Sequence, residues 1–378
     1  MCQKACVQGI ITMKEKASGF FYPNCSDYEC EKCAFVCPQN AKLNMNHPKR
    51  SLAFQLKDDE ELLESTSGGA FAAICDYVFS QNGVVYGASF NETLQVVHKI
   101  ALSKMQIREM QGSKYVLSDF TSNIEAIKDY IDSGRLVFVV GLPCQIAALY
   151  SYVGKETSNL ITADLICNGV PSYKLWRAYL SYIEKKHNIE IIDYKFRDKH
   201  KYGLSHTVVV KYIKNGQKHE KTYKYRNEIT YYEAFGKLSC FNDCCYQCKY
   251  TNLNRVGDFT LGGFWAIDEL PTKLDPIKGV GLVLVNTKVA ENIINNIESI
   301  CNIEEYPLDK ATRHNPALFK SVEVKNKEEQ IFQMLESEGY ELTAKKYFPA
   351  KSRIHNILIG LPPIMALCKF IRRHERGK

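Results

Sequence analysis

Cysteines carry most of the chemistry on offer in this sequence. The apolar run Leu136-Val137-Phe138-Val139-Val140 has the composition of a buried strand. It ends in Gly141-Leu142-Pro143-Cys144-Gln145, a tight turn into a helical pattern from Ile146 to Tyr150. A second apolar run, Leu160 to Ile166, ends the same way in Cys167-Asn168-Gly169-Val170-Pro171. Each strand thus delivers one thiol where the chain turns, the edge of an open α/β sheet at which ligands bind. Farther along, Cys244-Cys245-Tyr246-Gln247-Cys248 offers a CxxC pair. Four thiolates from three loops, Cys144, Cys167, Cys245 and Cys248, form a donor set for one iron–sulfur cluster or one metal ion. Two alternatives stay open beside the cluster: a tetrahedral all-cysteine zinc site, and buried structural thiols, since free cysteine packs as a small apolar residue. The CxxC spacing favours Cys245 over Cys244 and Cys240 as the partner of Cys248.

The first forty-odd residues read as a separate module. Cys30-x2-Cys33-x3-Cys37-Pro38 matches the last three cysteines and the proline of the bacterial ferredoxin run C-x2-C-x2-C-x3-C-P. Short steps let thiolates wrap one corner of a cubane while the last swings to a neighbouring cluster. The first cysteine of that run would fall at Asp27, and Cys25 lies two residues earlier. Cys2-x3-Cys6 has the spacing of the third and fourth cysteines of a preceding run, with Val7 in place of the proline and the leading CxxC lacking. Under two-cluster wiring, one cluster draws on Cys6, Cys30 and Cys33, with Cys25 or Asp27 as fourth ligand, and the other keeps only Cys2 and Cys37. One working N-terminal cluster and a cluster-free remnant are both open.

The elements that must position these thiols follow from pattern. With 378 residues, 45% hydrophobic and 24% charged, the chain suffices for two or three domains with a sizeable core. Its 15 cysteines gather in CxxC-type clusters rather than a disulfide framework, which points to a reducing cytoplasm and to ligation. A net charge of +7 argues only weakly for an acidic partner. Without a CxxC…CxxC ribbon or an aromatic–basic stripe, nucleic acid is not expected as a partner. Ala41 to Glu60 reads as a polar linker. Ser65-Thr66-Ser67-Gly68-Gly69 precedes a helical pattern at Phe71, Ile74, Cys75 and Val78, either a phosphate cradle or an ordinary capped helix. Strands are expected at Val84 to Ala88, Asp258 to Trp265 and Leu282 to Val285, and helices at Ile124 to Ile131, Tyr173 to Lys185 and Val289 to Ile300. Thr207 to Ile213 and Lys218 to Tyr225, around Asn215-Gly216-Gln217, predict a β-hairpin. Cys75, Cys301 and Cys368 sit in apolar helical patterns as core residues, and His98 and His206 lack metal-ligand spacing. The tail from Ile357 to Ile371 is too short and too broken by Gly360, Pro362 and Pro363 to span a bilayer. With Arg372-Arg373 after it, the tail either docks on the core or touches an anionic lipid surface weakly.

At these motifs the sequence resembles the coenzyme F420 hydrogenase/dehydrogenase beta-subunit family, in the bacterial form that carries a ferredoxin module and accompanies polysaccharide-synthesis genes. The pieces that carry the resemblance begin with Ser67-Gly68-Gly69, Gly83-Val84-Val85-Tyr86-Gly87-Ala88, Gly112-Ser113-Lys114-Tyr115 and Gly141-Leu142-Pro143-Cys144-Gln145. They continue with Asp164-Leu165-Ile166-Cys167, Phe196-Arg197-Asp198-Lys199, Cys245-x2-Cys248 and Lys278-Gly279-Val280. Collinear, they cover most of residues 1 to 300. The resemblance implies a ferredoxin-type, flavin-dependent oxidoreductase. A 4Fe-4S cluster would sit on Cys144, Cys167, Cys245 and Cys248, and a second in the N-terminal module on Cys6, Cys30, Cys33 and Cys37. FAD would lie against Ser67, Gly68, Gly69, Gly87 and Lys114. Implied partners are a redox protein or ferredoxin and a small-molecule hydride acceptor. Three departures stand out: Asn168 where the family has histidine, Gly263 where it has aspartate, and no arginine before the CxxC. They leave room for a redox-inactive scaffold derived from the same fold. The expected fold class is α/β, with mixed sheets and flanking helices, preceded by a small ferredoxin-like iron–sulfur module. The expected division is 1–45, 60–305 for the FAD/iron–sulfur domain, and 306–378 for a helical basic tail.

Overall fold

A computed structural model describes residues 1–27, 30, 33–154, 157–204, 207–224, 229–237, 240–323 and 327–350. The N-terminal module holds helix α1 (Cys2–Ala5) and an antiparallel hairpin, β1 (Thr12–Glu15) and β2 (Phe21–Asn24). The chain continues through β3 (Arg50–Leu56), α2 (Asp59–Glu64), α3 (Ala70–Ser80), β4 (Val84–Phe90), β5 (Val96–Ala101), α4 (Lys104–Ile107) and α5 (Ile124–Asp132). Next come β6 (Val137–Gly141), α6 (Pro143–Val153), β7 (Leu160–Leu165), α7 (Tyr173–His187), β8 (Glu190–Lys195), β9 (Val208–Lys214), β10 (Gln217–Tyr223), α8 (Thr230–Gly236) and α9 (Asp243–Tyr246). The last are β11 (Phe259–Gly263), β12 (Gly281–Val285), α10 (Lys288–Ile297), β13 (Cys301–Glu305), α11 (Leu308–Thr312), α12 (Glu328–Ser337) and α13 (Gly339–Tyr347).

Eight strands form one mixed sheet in the order β13-β3-β12-β11-β7-β6-β4-β5. The four central strands β11, β7, β6 and β4 are parallel, and the strands outside them pair antiparallel. Both faces are apolar, because alternate side chains serve opposite cores. Val85, Phe138, Ile161, Phe259 and Val283 pack with α3 and α10, while Val84, Val137, Val139 and Leu160 pack with α5 and α6. A second sheet, β10-β9-β8, gathers with α7, α8, α12 and α13 around the fully buried Trp176. Its hairpin turns on Asn215 and Gly216, both at positive φ (51° and 74°), the two-residue connection whose twist matches the strands. The mixed α/β fold class is the expected one, and the small cysteine-lined N-terminal sheet is consistent with a ferredoxin-like module.

Several expectations need correction. The stretch from Ala41 to Glu60 is not a linker, since it contains β3, a strand inside the main sheet. The polar residues that disguised it, Ser51 and Gln55, are buried and hydrogen-bonded, Ser51 Oγ to the Tyr306 carbonyl and Gln55 Nε2 to the Asp275 and Gly279 carbonyls. Helix α10 stops at Ile297, so Cys301 opens β13 rather than lying on a helix, although it is buried as expected. Cys368, His206 and the Ile357 to Ile371 tail lie outside the described residues. Among the described residues no helix is long and apolar enough to cross a membrane.

His98 on β5 is a packed core residue. Its ring lies against Tyr86 and Phe120, and its Nε2 pairs with the Val140 carbonyl at 3.0 Å. Burial pushes the imidazole down to about 4, against the opposing pull of that carbonyl. The folded protein therefore keeps His98 neutral, whereas the unfolded chain protonates it below its ordinary 6.5. The stability this supplies is complete above that value and is lost as pH falls toward 4, up to about 3 kcal/mol. Thermal melts from about pH 7.5 to about pH 4.5 should fall steeply for the native chain. A His98→Gln variant should start lower and fall less, and equal slopes would contradict this assignment.

Candidate cysteine site at the strand ends

The site begins with the register of β6 and β7. Gly141 pairs with Asp164, so the two strands end side by side. Beyond Gly141 the chain enters α6 at Pro143, and Cys144 lies within the first helical turn rather than in the turn before it. The Gln145 side chain closes that turn, accepting from the Leu142 N–H at 2.9 Å and donating to Ser118 Oγ at 2.9 Å. After β7, the Gly169 N–H donates to Cys167 Sγ at 3.2 Å. Gly169 sits at φ +102°, and a Cβ there would lie 2.4 Å from the Phe241 ring, so only glycine fits. The third contribution is α9. Asn242 caps it, its side chain accepting from the Cys244 N–H and its carbonyl from the Cys245 N–H, and Cys248 follows.

Five thiols from these three segments face one another. Burial, then the charges of Cys167, Cys244 and Cys248, push the Cys144 thiol well above its ordinary range. Burial also lifts Cys167 to about 11 against the Gly169 N–H. It raises Cys248 too, against the opposing pull of the nearby Tyr250 and Thr251 N–H groups. A hydrogen bond between the adjacent thiols lowers Cys244 and raises Cys245. The structure thus brings Cys144, Cys167, Cys245 and Cys248 together and adds Cys244, which CxxC spacing had set aside. Cys240 is fully buried in the second core. Among the described residues no three His, Cys, Asp or Glu side chains close on one point as ligands of a single ion do. The donor chemistry, all thiol with the Gly169 N–H donating to sulfur, suits an iron–sulfur cluster.

A buried ion pair fixes two of the three segments, the end of β7 and the loop after the CxxC, against each other. Asp164, at the end of β7, and Arg255, seven residues after Cys248, are both essentially inaccessible and meet at 2.6 Å. Asp164 Oδ1 also accepts from Thr260 Oγ1, and its Oδ2 accepts from the Val256 and Gly257 N–H groups. Arg255 spends Nη1 on the carbonyls of Tyr250 and Asn252, which folds the loop after the CxxC back on itself. Its charge pulls down both Cys167 and Cys248, though less than burial raises them. The arginine missing before the CxxC is thus matched by a guanidinium arriving from after it. Sequence offered no signal for this pairing beyond the charge of each partner.

The N-terminal module docks against the same site. Tyr250 Oη donates to the Pro38 carbonyl, Lys249 Nζ to the Gln39 and Ala41 carbonyls, and Lys16 pairs with Asp243 at 2.7 Å. Within the module, burial and then the charges of Cys2, Cys6 and Cys25 raise Cys33, which places these four thiols near one another. Burial raises Cys6 too, but the N–H groups of Ile10, Gln8, Ile11 and Gly9 outweigh it, so its thiol is lowered. Asp27 accepts from the Cys30 N–H at 3.2 Å and so acts as a turn cap, while Cys25 is the residue whose sulfur faces Cys33. Cys37 lies close enough to Tyr250 to add to the burial that raises its hydroxyl.

The residues expected against FAD lie elsewhere, with their polar groups already engaged. Ser67 Oγ donates to the Val280 carbonyl, and Lys199 Nζ donates to the Ser67 and Lys278 carbonyls. Gly68 is needed for packing, since a Cβ would meet the Phe54 carbonyl at 1.8 Å. Gly69 is the left-handed N-cap of α3, and Gly87 lies under Met110. Lys114 Nζ caps the carbonyls of Met110, Gln111 and Gly112, and burial pushes it down to about 7. As they stand, the Ser67 hydroxyl and the Lys114 ammonium are engaged within the protein, so an anion there would rest on the backbone N–H groups at the start of α3.

The fold and this site define a mixed α/β protein that collects thiols at the carboxyl ends of adjacent parallel strands. Residues 134–311, which carry all five thiols and both members of the ion pair, match the family described as the C terminus of the beta subunit in coenzyme F420 hydrogenase/dehydrogenase. An uncharacterized protein of Methanocaldococcus jannaschii, MJ1349, is 27% identical over 143 residues, 35% of this chain and 39% of that protein. The chain thus spans about two fifths of the length of this curated relative. A chain in a xenon-derivatised structure of the F420-reducing NiFe hydrogenase complex from Methanosarcina barkeri superposes with a TM-score of 0.45 at 18% identity, covering 81% of this chain and 92% of that one.

Removing one partner of the Arg255–Asp164 pair leaves the other charge buried and unpaired, at a cost of about 3–5 kcal/mol. Arg255→Met or Asp164→Asn should lower the urea midpoint accordingly, and the double variant should lose less than the sum of the two. Additive losses would mean that the two groups do not act as a pair.

Proposed function

We propose that the chain is an iron–sulfur oxidoreductase subunit whose core cysteine set holds a 4Fe-4S cluster. The observation that carries this reading is the gathering of five thiols from three segments near the ends of β6 and β7. There burial and one another's charge raise Cys144, Cys167 and Cys248, and the Gly169 N–H donates to Cys167 Sγ. The match of residues 134–311 to a hydrogenase/dehydrogenase beta-subunit family supports it. Cys144, Cys167 and Cys248 are the ligands proposed from three separate segments, and Cys245 or Cys244 supplies the fourth. The N-terminal module is proposed to hold a second cluster on Cys6, Cys25, Cys30 and Cys33. This gives the division 1–45 for the electron-entry module, a core extending to residue 305, and a C-terminal region from 306.

When bound, such clusters supply one-electron transfer, and a flavin would couple it to the two-electron chemistry of a hydride acceptor. The protein's part is electrostatic and geometric. Arg255 and the nearby N–H groups favour negative charge on the cysteine sulfurs, and the Arg255–Asp164 pair fixes the loop that carries Cys248. Flavin binding rests on the resemblance, with the Ser67 and Lys114 side chains already engaged within the protein. The same holds for the soluble redox partner, the cytoplasmic setting and the polysaccharide-synthesis context.

The test is an anaerobic absorption spectrum before and after dithionite, with iron, sulfide and flavin quantified on one sample. About four irons per chain are expected for the core set and about eight with the N-terminal set filled. Cys167→Ser should lose the core share and leave the rest. A reconstituted chain with neither iron nor flavin would overturn the redox reading and favour the scaffold.

A further inference from the structure

The second sheet ends on one side in β10, with which no further strand pairs among the described residues. The turn at Asn215 and Gly216 sets Lys214 opposite Gln217, and a two-residue turn of this kind makes those two a hydrogen-bonded pair. Pair types alternate along an antiparallel ladder. The backbone groups of Lys218, Glu220 and Thr222 therefore face away from β9, toward the open edge. Beside that edge lies a cavity of about 100 Å³ between the end of α7 and the sheet. Tyr179, Tyr212 and Tyr223 give it aromatic walls, and Lys214 and Lys221 bring two ammonium groups beside His187. Among the described residues that line it there is no aspartate or glutamate. Partial burial, then the charges of Lys221, Lys186 and Lys214, hold the His187 imidazole below its ordinary value. Glu220, the one carboxylate on β10, sits on the opposite face, across the ladder from Lys211.

We propose that the β10 edge and this cavity form a docking site for an extended acidic segment of a partner protein. The segment adds to the sheet as a fourth strand, its backbone pairing with the outward groups of Lys218, Glu220 and Thr222. Its carboxylates settle beside Lys214 and Lys221. Charge selects this occupant. Among the described residues, Lys214, Lys218 and Lys221 have no ion-pair partner. Lysines on an exposed edge keep copies of one chain from pairing, since each edge meets its own charge. A second β10 is therefore excluded, while a strand of opposite sign is drawn in. The chain beyond residue 350, with seven Lys or Arg and one Glu, is excluded on the same ground. The site is separate from the thiols and stands whatever they bind.

The test titrates the full chain into a fluorescein-labelled octapeptide of alternating glutamate and valine, followed by anisotropy at about 50 mM salt. This peptide should bind at least about tenfold tighter than its glutamine–valine counterpart, and the preference should shrink at about 500 mM salt. Lys214→Glu combined with Lys221→Glu, at two exposed positions, should weaken binding by at least about tenfold. The milder Lys214→Gln with Lys221→Gln should weaken it about threefold, and thermal melts check that both variants fold. Lys310→Glu, exposed on α11, should leave binding within about twofold. Hydrogen exchange at residues 217–223 should slow when the peptide binds. The proposal is overturned if the two peptides bind alike, if neither lysine pair matters, or if Lys310→Glu weakens binding as much. Binding without slowed exchange along β10 overturns it as well, leaving charge attraction with no added strand.

Discussion

The arrangement of the thiols depends on one ion pair. Burying a carboxylate and a guanidinium costs more than their mutual attraction returns unless every remaining lone pair and proton is satisfied. Asp164 meets that condition with Arg255, Thr260 and two backbone N–H groups, and Arg255 with two carbonyls of the loop it anchors. The pair joins a strand that delivers one thiol to a loop that follows three others. Helix α6, fixed by Gln145, adds the remaining thiol from the neighbouring strand end. Tyr150 ties α6 to the other two segments, its hydroxyl pairing with Thr162 on β7 and donating to Asp258 after the CxxC loop.

Burial and mutual repulsion raise Cys144, Cys167 and Cys248, and the hydrogen bond with Cys244 raises Cys245, so the protein alone favours their neutral forms. Ligation needs the thiolate, so any metal or cluster taken up here must displace protons, and its affinity rises with pH. The fold gathers thiols at this one sheet edge while elsewhere burying cysteines singly, as with Cys75 and Cys301.

What was legible in the sequence is what depends on neighbours in the chain. The strand ends before Cys144 and Cys167, the Asn215–Gly216 hairpin and the amphipathic helices follow from local pattern. Strand β3 was hidden because Ser51 and Gln55 find buried partners more than two hundred residues away. Arg255 and Tyr250 were invisible for the same reason, their decisive partners lying 91 and 212 residues back in the chain. Lys114 misled in the opposite direction. A lysine in a glycine-containing loop suggests an anion, but here three nearby carbonyls satisfy it. A local motif cannot distinguish a donor offered to a ligand from one spent on its own loop.

Gly263 shows how the lining of the site is packed. The residue lies at the end of β11, beside the strand that leads to Cys167. A Cβ there would stand 3.0 Å from the Trp265 ring, and Arg197 lies over that same ring at 5.2 Å. With no side chain at 263, the tryptophan rests against the strand end and the guanidinium sits on its face as a cation–π pair. Framework and lining are therefore held by different groups. The thiols are held by groups buried behind the sheet edge, whereas Trp265 remains 44% exposed and free to be rebuilt.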